Sequence, residues 1–272
     1  MAKTIFITGA SRGFGKLWAE ALLQRGDNVI ATARNLNALD ELVATYGNNI
    51  LPLQLNVDDR AAAFTAVNKA VEHFGGIDVL INNAGYGLFG AIEETTEKEA
   101  RDQMETNFFG LLWLSQAVLP IMRAQKHGHI IQLSSVLGLI SRPILGLYAA
   151  SKFAVEGLSE SLAAEVKGFG IHVSIIEPSG FDTEWGGSSA ARTASISAYD
   201  DVKANHQAGI PPDFRGAASG TTAALIKLID SDNPPLRLLL GKYANMLVKR
   251  EYENRNTEWD HWLETTLEAQ GK

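Results

Sequence analysis

Tyr148 and Lys152 stand four residues apart in the stretch GLYAASKFAVEGL, residues 146 to 158. On a helix that spacing puts both side chains on one face. A phenol in isolation titrates at about pH 10, and a neighbouring cation favours its phenolate form. Such a pair can therefore work as a tuned proton donor and acceptor. The same spacing recurs at Tyr199 and Lys203, so spacing alone does not separate a proton-transfer site from two residues that share a helix face. The surroundings differ. The first pair follows the strand-like run GHIIQLSS, which ends at Ser135, whereas Tyr199 lies in a Gly-, Ser- and Ala-rich stretch with no strand before it.

A second constellation is TGASRGFG, residues 8 to 15, where Gly9, Gly13 and Gly15 fall at G-x-x-x-G-x-G spacing. It joins the apolar run KTIFIT to an amphipathic segment. Glycines at a strand-to-helix turn let the backbone approach a pyrophosphate, whose charge the helix N-terminus favours. The pattern predicts a dinucleotide site. At the end of the second strand, where an NAD site offers a carboxylate to the ribose, the sequence reads ATARN, with Ala33 and Arg34. Arg12, inside the glycine turn, can converge on the same region. Two guanidiniums and no acid suit the 2′-phosphate of NADP(H), each charge-assisted hydrogen bond being worth about 1.5–3 kcal/mol.

The elements that must position these residues follow from hydrophobic period. Strands are expected at 3–8, 28–33, 50–57, 77–82, 128–135, 171–178 and 236–241. Helices are expected between Gly13 and Gly26, up to Tyr46, after Asp58, over 98–124 and 147–168, over 213–231, and at the C-terminus. Several strands are nearly continuous apolar runs, as when helices cover both sheet faces. The alternation predicts an α/β, doubly wound Rossmann fold, with residues 1–272 forming one dinucleotide-binding and catalytic domain. Residues 179–212 break the period, and a segment this long is either a substrate lid or a surface insertion. Trp259 and Trp262 in the terminal helix read as packing residues.

Composition limits the function classes. With 46% apolar and 20% charged residues in 272, the chain has material for a substantial core. A net charge of −7 argues against nucleic acid as the main partner. There is no cysteine, which removes disulfides, thiol catalysis and cysteine–zinc sites, and His127 and His129 read as a turn rather than a metal site. The run FFGLLWLSQAVLPIM, 108 to 122, is shorter than the roughly 20 residues a membrane span needs, and contains Gln116 and Pro120. No signal-peptide pattern opens the chain, so a soluble cytoplasmic protein is expected, with no membrane partner.

Taken together, these residues resemble the short-chain dehydrogenase/reductase family in its compact branch, in the expected order along the chain. TGASRGFG resembles the family's TGxxxGxG turn, and implies cofactor contacts at Gly9, Ser11, Arg12, Gly13, Phe14 and Gly15. INNAG resembles its NNAG motif, which would place Asn83, Ala84 and Gly85 on the adenine-ribose side, as would Asn56 and Val57 after the third strand. Tyr148 and Lys152 resemble its YxxxK signature, with Ser135 preceding the tyrosine by the family's 13 residues and Asn107 in the long fifth helix. EPSGFDT resembles its PGxxxT segment, which implies nicotinamide contacts at Pro178, Gly180 and Thr183. Two departures are Asn56, where the family has an acid, and Ser179, where it has a glycine.

The resemblance implies about seven parallel strands flanked by helices, and a homodimer or homotetramer built through 98–124 and 147–168. It implies hydride transfer between NADP(H) and a carbonyl or secondary alcohol. Tyr148 would be the general acid/base, Lys152 its electrostatic partner and ribose ligand, Ser135 a donor to the substrate oxygen, and Asn107 the holder of a relay water. Phe89, Leu137, Leu139, Leu145 and Trp185 are candidate pocket residues, and their apolar character suggests a hydrophobic small molecule. The competing class is a non-catalytic NADP(H) sensor or scaffold, which would be expected to lack part of the Asn-Ser-Tyr-Lys set. No metal is expected.

Overall fold

Runs rich in Ile, Val and Leu form the seven strands of one parallel sheet in the computed structural model, which describes residues 2–187 and 189–271. The strands are β1 (Thr4–Ile7), β2 (Asn28–Ala33), β3 (Ile50–Gln54), β4 (Val79–Asn82), β5 (Gly128–Leu133), β6 (Ile171–Pro178) and β7 (Arg237–Leu240). Their order across the sheet is β3-β2-β1-β4-β5-β6-β7. The direction of winding reverses between β1 and β4, whose register pairs Ile5 with Val79 and Ile7 with Ile81. In doubly wound sheets ligands bind beyond the carboxyl ends of the strands at such a reversal.

Ten helices accompany the sheet among the described residues: α1 (Gly13–Gln24), α2 (Asp40–Tyr46), α3 (Arg60–Phe74), α4 (Glu97–Met104), α5 (Gly110–Gln125), α6 (Gly146–Val166), α7 (Asp200–Ala208), α8 (Thr221–Ile229), α9 (Ala244–His261) and α10 (Leu263–Glu268). Side chains alternate across a strand, and the core follows that rule. Ile5, Ile7, Val29 and Ala31 pack with Trp18 and Leu22 of α1 and Leu225 and Leu228 of α8. Phe6, Ile30, Leu80 and Ile130 face the other way, onto Val67 of α3, Leu114 and Val118 of α5 and Leu162 of α6.

Four expectations are corrected. The helix expected over 98–124 is helical throughout but not uniformly α: between α4 and α5 it holds a π-helical turn at Glu105–Phe109, where Asn107 is buried. The helix expected from 213 begins only at Thr221, because Gly216 and Ala217 pair with Phe181 and Asp182 instead. Segment 179–212 is partly regular: Ala191 and Arg192 pair with Leu88 and Phe89, and α7 follows. Finally, Trp259 and Trp262 are not packed; they are 61% and 58% exposed. The first turns of α9 hold Ala244, Leu247 and Val248 against the core, and from residue 256 onward the helix runs past the body, so every side chain there is exposed. Among the described residues no helix is long and apolar enough to cross a membrane.

Candidate active site

The turn after β1 and the loop after β4 are sewn together by Asn83. Its amide donates to the carbonyls of Thr8 (2.8 Å) and Gly9 (3.1 Å), and the Thr8 hydroxyl accepts from Asn83 N and Ala84 N, both at 2.9 Å. The glycines are needed where they stand. Gly9 has φ +68°, a left-handed conformation that favours glycine, and a Cβ on Gly15 would sit 2.2 Å from the Gly9 carbonyl oxygen. α1 begins without a cap: Arg12 is extended, its side chain makes no capping bond, and no acid lies in the first turn. By contrast Asp59 caps α3 and Thr96 caps α4. An uncapped N-terminus beside a glycine cradle leaves backbone N–H groups aimed outward, which is what a pyrophosphate requires.

Around that turn, Arg12 and Arg34 are both exposed, and neither forms an ion pair among the described residues. The Arg34 carbonyl is fixed by Gln54 Nε2 at 3.0 Å. Ser11 is half-buried, and Thr183 lies 3.8 Å from where a Gly13 Cβ would be, so the turn and the segment after β6 meet. Asn56 is exposed, its Oδ1 accepting from Asp58 N at 3.5 Å, while Val57 is buried against Gly110. Two side chains have other tasks than those expected of them. Asn83 spends its amide on the turn, and the Phe14 ring stacks on Trp18 at 5.1 Å and meets Phe181 at 5.5 Å.

On α6, Tyr148 and Lys152 share one buried face, each 5% exposed. Lys152 Nζ donates to the Leu133 carbonyl at 2.6 Å and lies 5.8 Å from the Tyr148 ring centroid. Ser135 starts the turn after β5; its Oγ accepts from Leu137 N at 3.1 Å, donates to the Pro178 carbonyl at 3.5 Å, and lies beside the Tyr148 hydroxyl. Burial raises the phenol above its ordinary range, with Ser135 pulling the other way. Burial also pulls the Lys152 ammonium down to about 8, against the raising influence of Glu156. The expected lowering of the phenol by Lys152 is not found: burial sets the direction, and only Ser135 opposes it. Tyr148 therefore holds its proton at neutral pH.

Asn107 is anchored on three sides. Its Oδ1 accepts from Tyr86 N (3.0 Å), and its Nδ2 donates to Tyr86 O (3.0 Å) and Ser151 Oγ (3.1 Å). Ser151 in turn donates to the Tyr148 carbonyl at 2.7 Å. An amide oxygen has two lone pairs, so one position on Oδ1 remains for a water. Asn107 Oδ1 and Lys152 Nζ both border Gly85: a methyl there would lie 3.1 Å from the first and 3.7 Å from the second.

Apolar groups wall the tyrosine. Leu137, Leu139, Ile140 and Leu145 pack with it, and Phe89 and Trp185 close over them. The Trp185 ring is 4.9 Å from that of Tyr148 and 5.3 Å from Phe89, and a Cβ on Gly87 would come within 2.6 Å of the indole. Ile144, next to Leu145, holds φ +70°, and its carbonyl accepts from Gly90 N at 2.9 Å. A β-branched residue in that region is strained, by about 1–3 kcal/mol. Of the segment after β6, Ser179 N donates to the Leu240 carbonyl at 2.8 Å, and Gly180 is flush against Phe214, where a Cβ would stand 2.4 Å from the ring. Tyr199 and Lys203 are not near Tyr148; they bind Glu93 and Glu94 and tie 195–203 to the turn at Ile92–Glu94.

Sequence reasoning missed Gly87, Glu94, Ser151, Glu156 and Glu177. Only Glu156 left a readable trace, as an acid one turn beyond Lys152 on the same face.

Residues 3–193 match the family model for short chain dehydrogenases. The 3-ketodihydrosphingosine reductase of Bacteroides thetaiotaomicron is 38% identical over 260 residues, covering 90% of each chain. The crystal structure of a short-chain dehydrogenase from Streptomyces avermitilis is similar with a TM-score of 0.93 at 37% identity, covering 98% of both chains. ElxO with NADP bound gives a TM-score of 0.77 at 26% identity, over 90% of this chain and all of that one (100%). In a doubly wound sheet of this kind ligands bind beyond the strand ends at the β1–β4 reversal. The chain belongs to the short-chain dehydrogenase family, and it is an oxidoreductase of that family.

Proposed function

We propose that the protein is an NADP(H)-dependent carbonyl reductase acting on hydrophobic small molecules, with Tyr148 as general acid. The observation that carries this reading is a buried phenol beside the Ser135 hydroxyl, packed in an apolar cluster with Leu137, Leu145, Phe89 and Trp185, and across the sheet reversal from an uncapped helix N-terminus. The residues present fit a nicotinamide dinucleotide. Its pyrophosphate would lie on the backbone of 9–15, its 2′-phosphate between Arg12 and Arg34, and its nicotinamide near Pro178, Gly180 and Thr183. When bound, the cofactor supplies the hydride.

The chain does the rest. Ser135 donates to the substrate oxygen and orients it. Tyr148 gives its proton to that oxygen as negative charge develops. Lys152 stabilises the phenolate left behind, and a water on Asn107 returns the proton by way of Lys152. General acid catalysis of this kind typically contributes about 10²–10⁴-fold. Phe89, Leu137, Leu145 and Trp185 exclude water and select apolar substrates, with 179–212 acting as their lid. The name of the Bacteroides relative, a ketone reductase, supports a carbonyl substrate, and the NADP in ElxO supports the cofactor. NADPH oxidation measured across apolar ketones, aldehydes and quinones tests the reading. Tight NADPH binding with no consumption by any carbonyl would overturn it.

A further inference from the structure

Two acidic side chains are buried where α6 crosses β6, and neither belongs to the machinery above. Glu177 of β6 is 0% exposed, and Glu156 of α6 is 4% exposed. Their carboxyl groups meet. Arg237 of β7 reaches both, with Nε 3.1 Å from Glu156 Oε2 and 3.5 Å from Glu177 Oε1, while its Nη2 turns outward to Glu160 at 2.8 Å. One guanidinium thus serves three carboxyl groups. Among the described residues, Glu156 Oε1 and both oxygens of Glu177 receive no hydrogen bond, and Ser134 Oγ is likewise unpartnered. Gly138 closes the space, since a Cβ there would lie 2.4 Å from Ser134 Oγ and 3.0 Å from Glu156 Cγ.

Two ionised carboxylates in contact in a dry site repel, and their bare lone pairs are penalised again for lost solvation. One proton between them removes a charge and supplies the missing donor in a single step. We propose that Glu156 and Glu177 share one proton, and that this bond positions Lys152, Ser135 and the 178–180 loop by fastening α6 to the ends of β5 and β6. The connections are direct along the chain. Glu156 follows Lys152 by one helical turn, Ser134 precedes Ser135, and Glu177 precedes Pro178. Both acids are positioning residues. The positioning rests on the function proposed above; the shared proton does not.

The charged groups acting on the pair are Arg237 from β7 and, on α6 itself, Lys152 and, through Arg237, Glu160; Ser134 and Gly138 are uncharged. Burial first, and Glu156 second, hold Glu177 up at about 8 from an ordinary 4.5, with Arg237 opposing. A raised carboxyl is protonated in the folded protein while the unfolded chain has already released its proton. Stability therefore falls as pH climbs from 4.5 toward 8.

Infrared spectroscopy and thermal melting of the full chain test this without any substrate. At neutral pH the wild type is expected to show a protonated carboxylic C=O stretch that both Glu177→Gln and Glu156→Gln lose. Glu177→Gln should also flatten the alkaline decline in Tm, so that its Tm relative to wild type rises by several degrees between about pH 5 and about pH 9. No such band in the wild type, or a Tm difference constant over that range, overturns the shared proton. The wild-type band decides by itself if a variant fails to fold. With NADPH and an accepted carbonyl, Glu177→Gln should move the alkaline limb of kcat/KM. Identical limbs overturn the positioning, whereas an absence of turnover in wild type strikes the proposed function and leaves the proton to the spectra.

Discussion

Trp185 lies with its indole 4.9 Å from the ring of Tyr148, delivered there by a turn that begins at Thr183, whose hydroxyl accepts from Trp185 N at 3.3 Å. The same turn touches the glycine loop through Thr183 and Gly13. Trp185, the phenol and the glycine turn are thus neighbours through one short segment. Trp185→Ala should open space beside Tyr148, raising kcat/KM for bulky carbonyls relative to small ones by at least about tenfold, the low end of what one methylene is worth in an apolar pocket. Unchanged selectivity between a branched and a linear ketone would remove Trp185 from the pocket.

Tyr148→Phe keeps the ring and its packing on Trp185 and removes only the hydroxyl. Turnover is expected to fall by about 10²–10⁴-fold, with NADPH binding, followed by cofactor fluorescence, retained. Normal turnover in this variant would sink the general-acid role.

Among the described residues the exposed Arg34 side chain forms no ion pair, and the bond from Gln54 uses the backbone carbonyl, which a substitution keeps. Arg34→Ala should weaken NADPH binding by about tenfold to a hundredfold, the worth of one charge-assisted hydrogen bond, and leave NADH nearly unchanged. Titration of both cofactors at low and high salt is the measurement. Equal losses for the two would contradict a 2′-phosphate site.

Asn83→Ala removes the amide that bridges Thr8 and Gly9. Two carbonyls are left without that donor, a loss of about 1–3 kcal/mol, and the glycine turn loosens. Both Tm and dinucleotide affinity should fall together. A drop in affinity at unchanged Tm would mean that Asn83 acts on the ligand directly instead.

Glu94 is held down at about 2, first by the Ile196 N–H, at 2.7 Å, and then by Lys203. A lowered carboxyl contributes its stability above the ordinary 4.5 and loses it as pH falls toward 2. Proteolysis within 187–199 should therefore accelerate in acid, and Glu94→Gln should accelerate it already at neutral pH. Acid-insensitive cleavage would show that this carboxylate does not fasten the segment.

The regular elements were legible because their cause is local. Alternating β-branched runs and apolar helical periods announce a parallel sheet with both faces covered, and the glycine turn and the Tyr148–Lys152 spacing can each be read within a few residues. The π turn was not legible: nothing in METNFFG marks the one-residue slip that sends Asn107 inward to Tyr86 and Ser151. Nor was the exposure of Trp259 and Trp262, since an apolar period tells that a face is apolar and not what meets it.

By itself the sequence determined the order of the strands along the chain, the glycine cradle, the pair of arginines without an acid, and the shared helix face of Tyr148 and Lys152. Tertiary structure alone decided how the titrating groups are shifted. Burial, which no local pattern encodes, raises the phenol and lowers the lysine. It also brought Glu156 and Glu177, 21 positions apart, into one dry contact. Dielectric environment depends on everything packed around a group, so the chemistry of these residues is set by the fold, and only their identities by the chain.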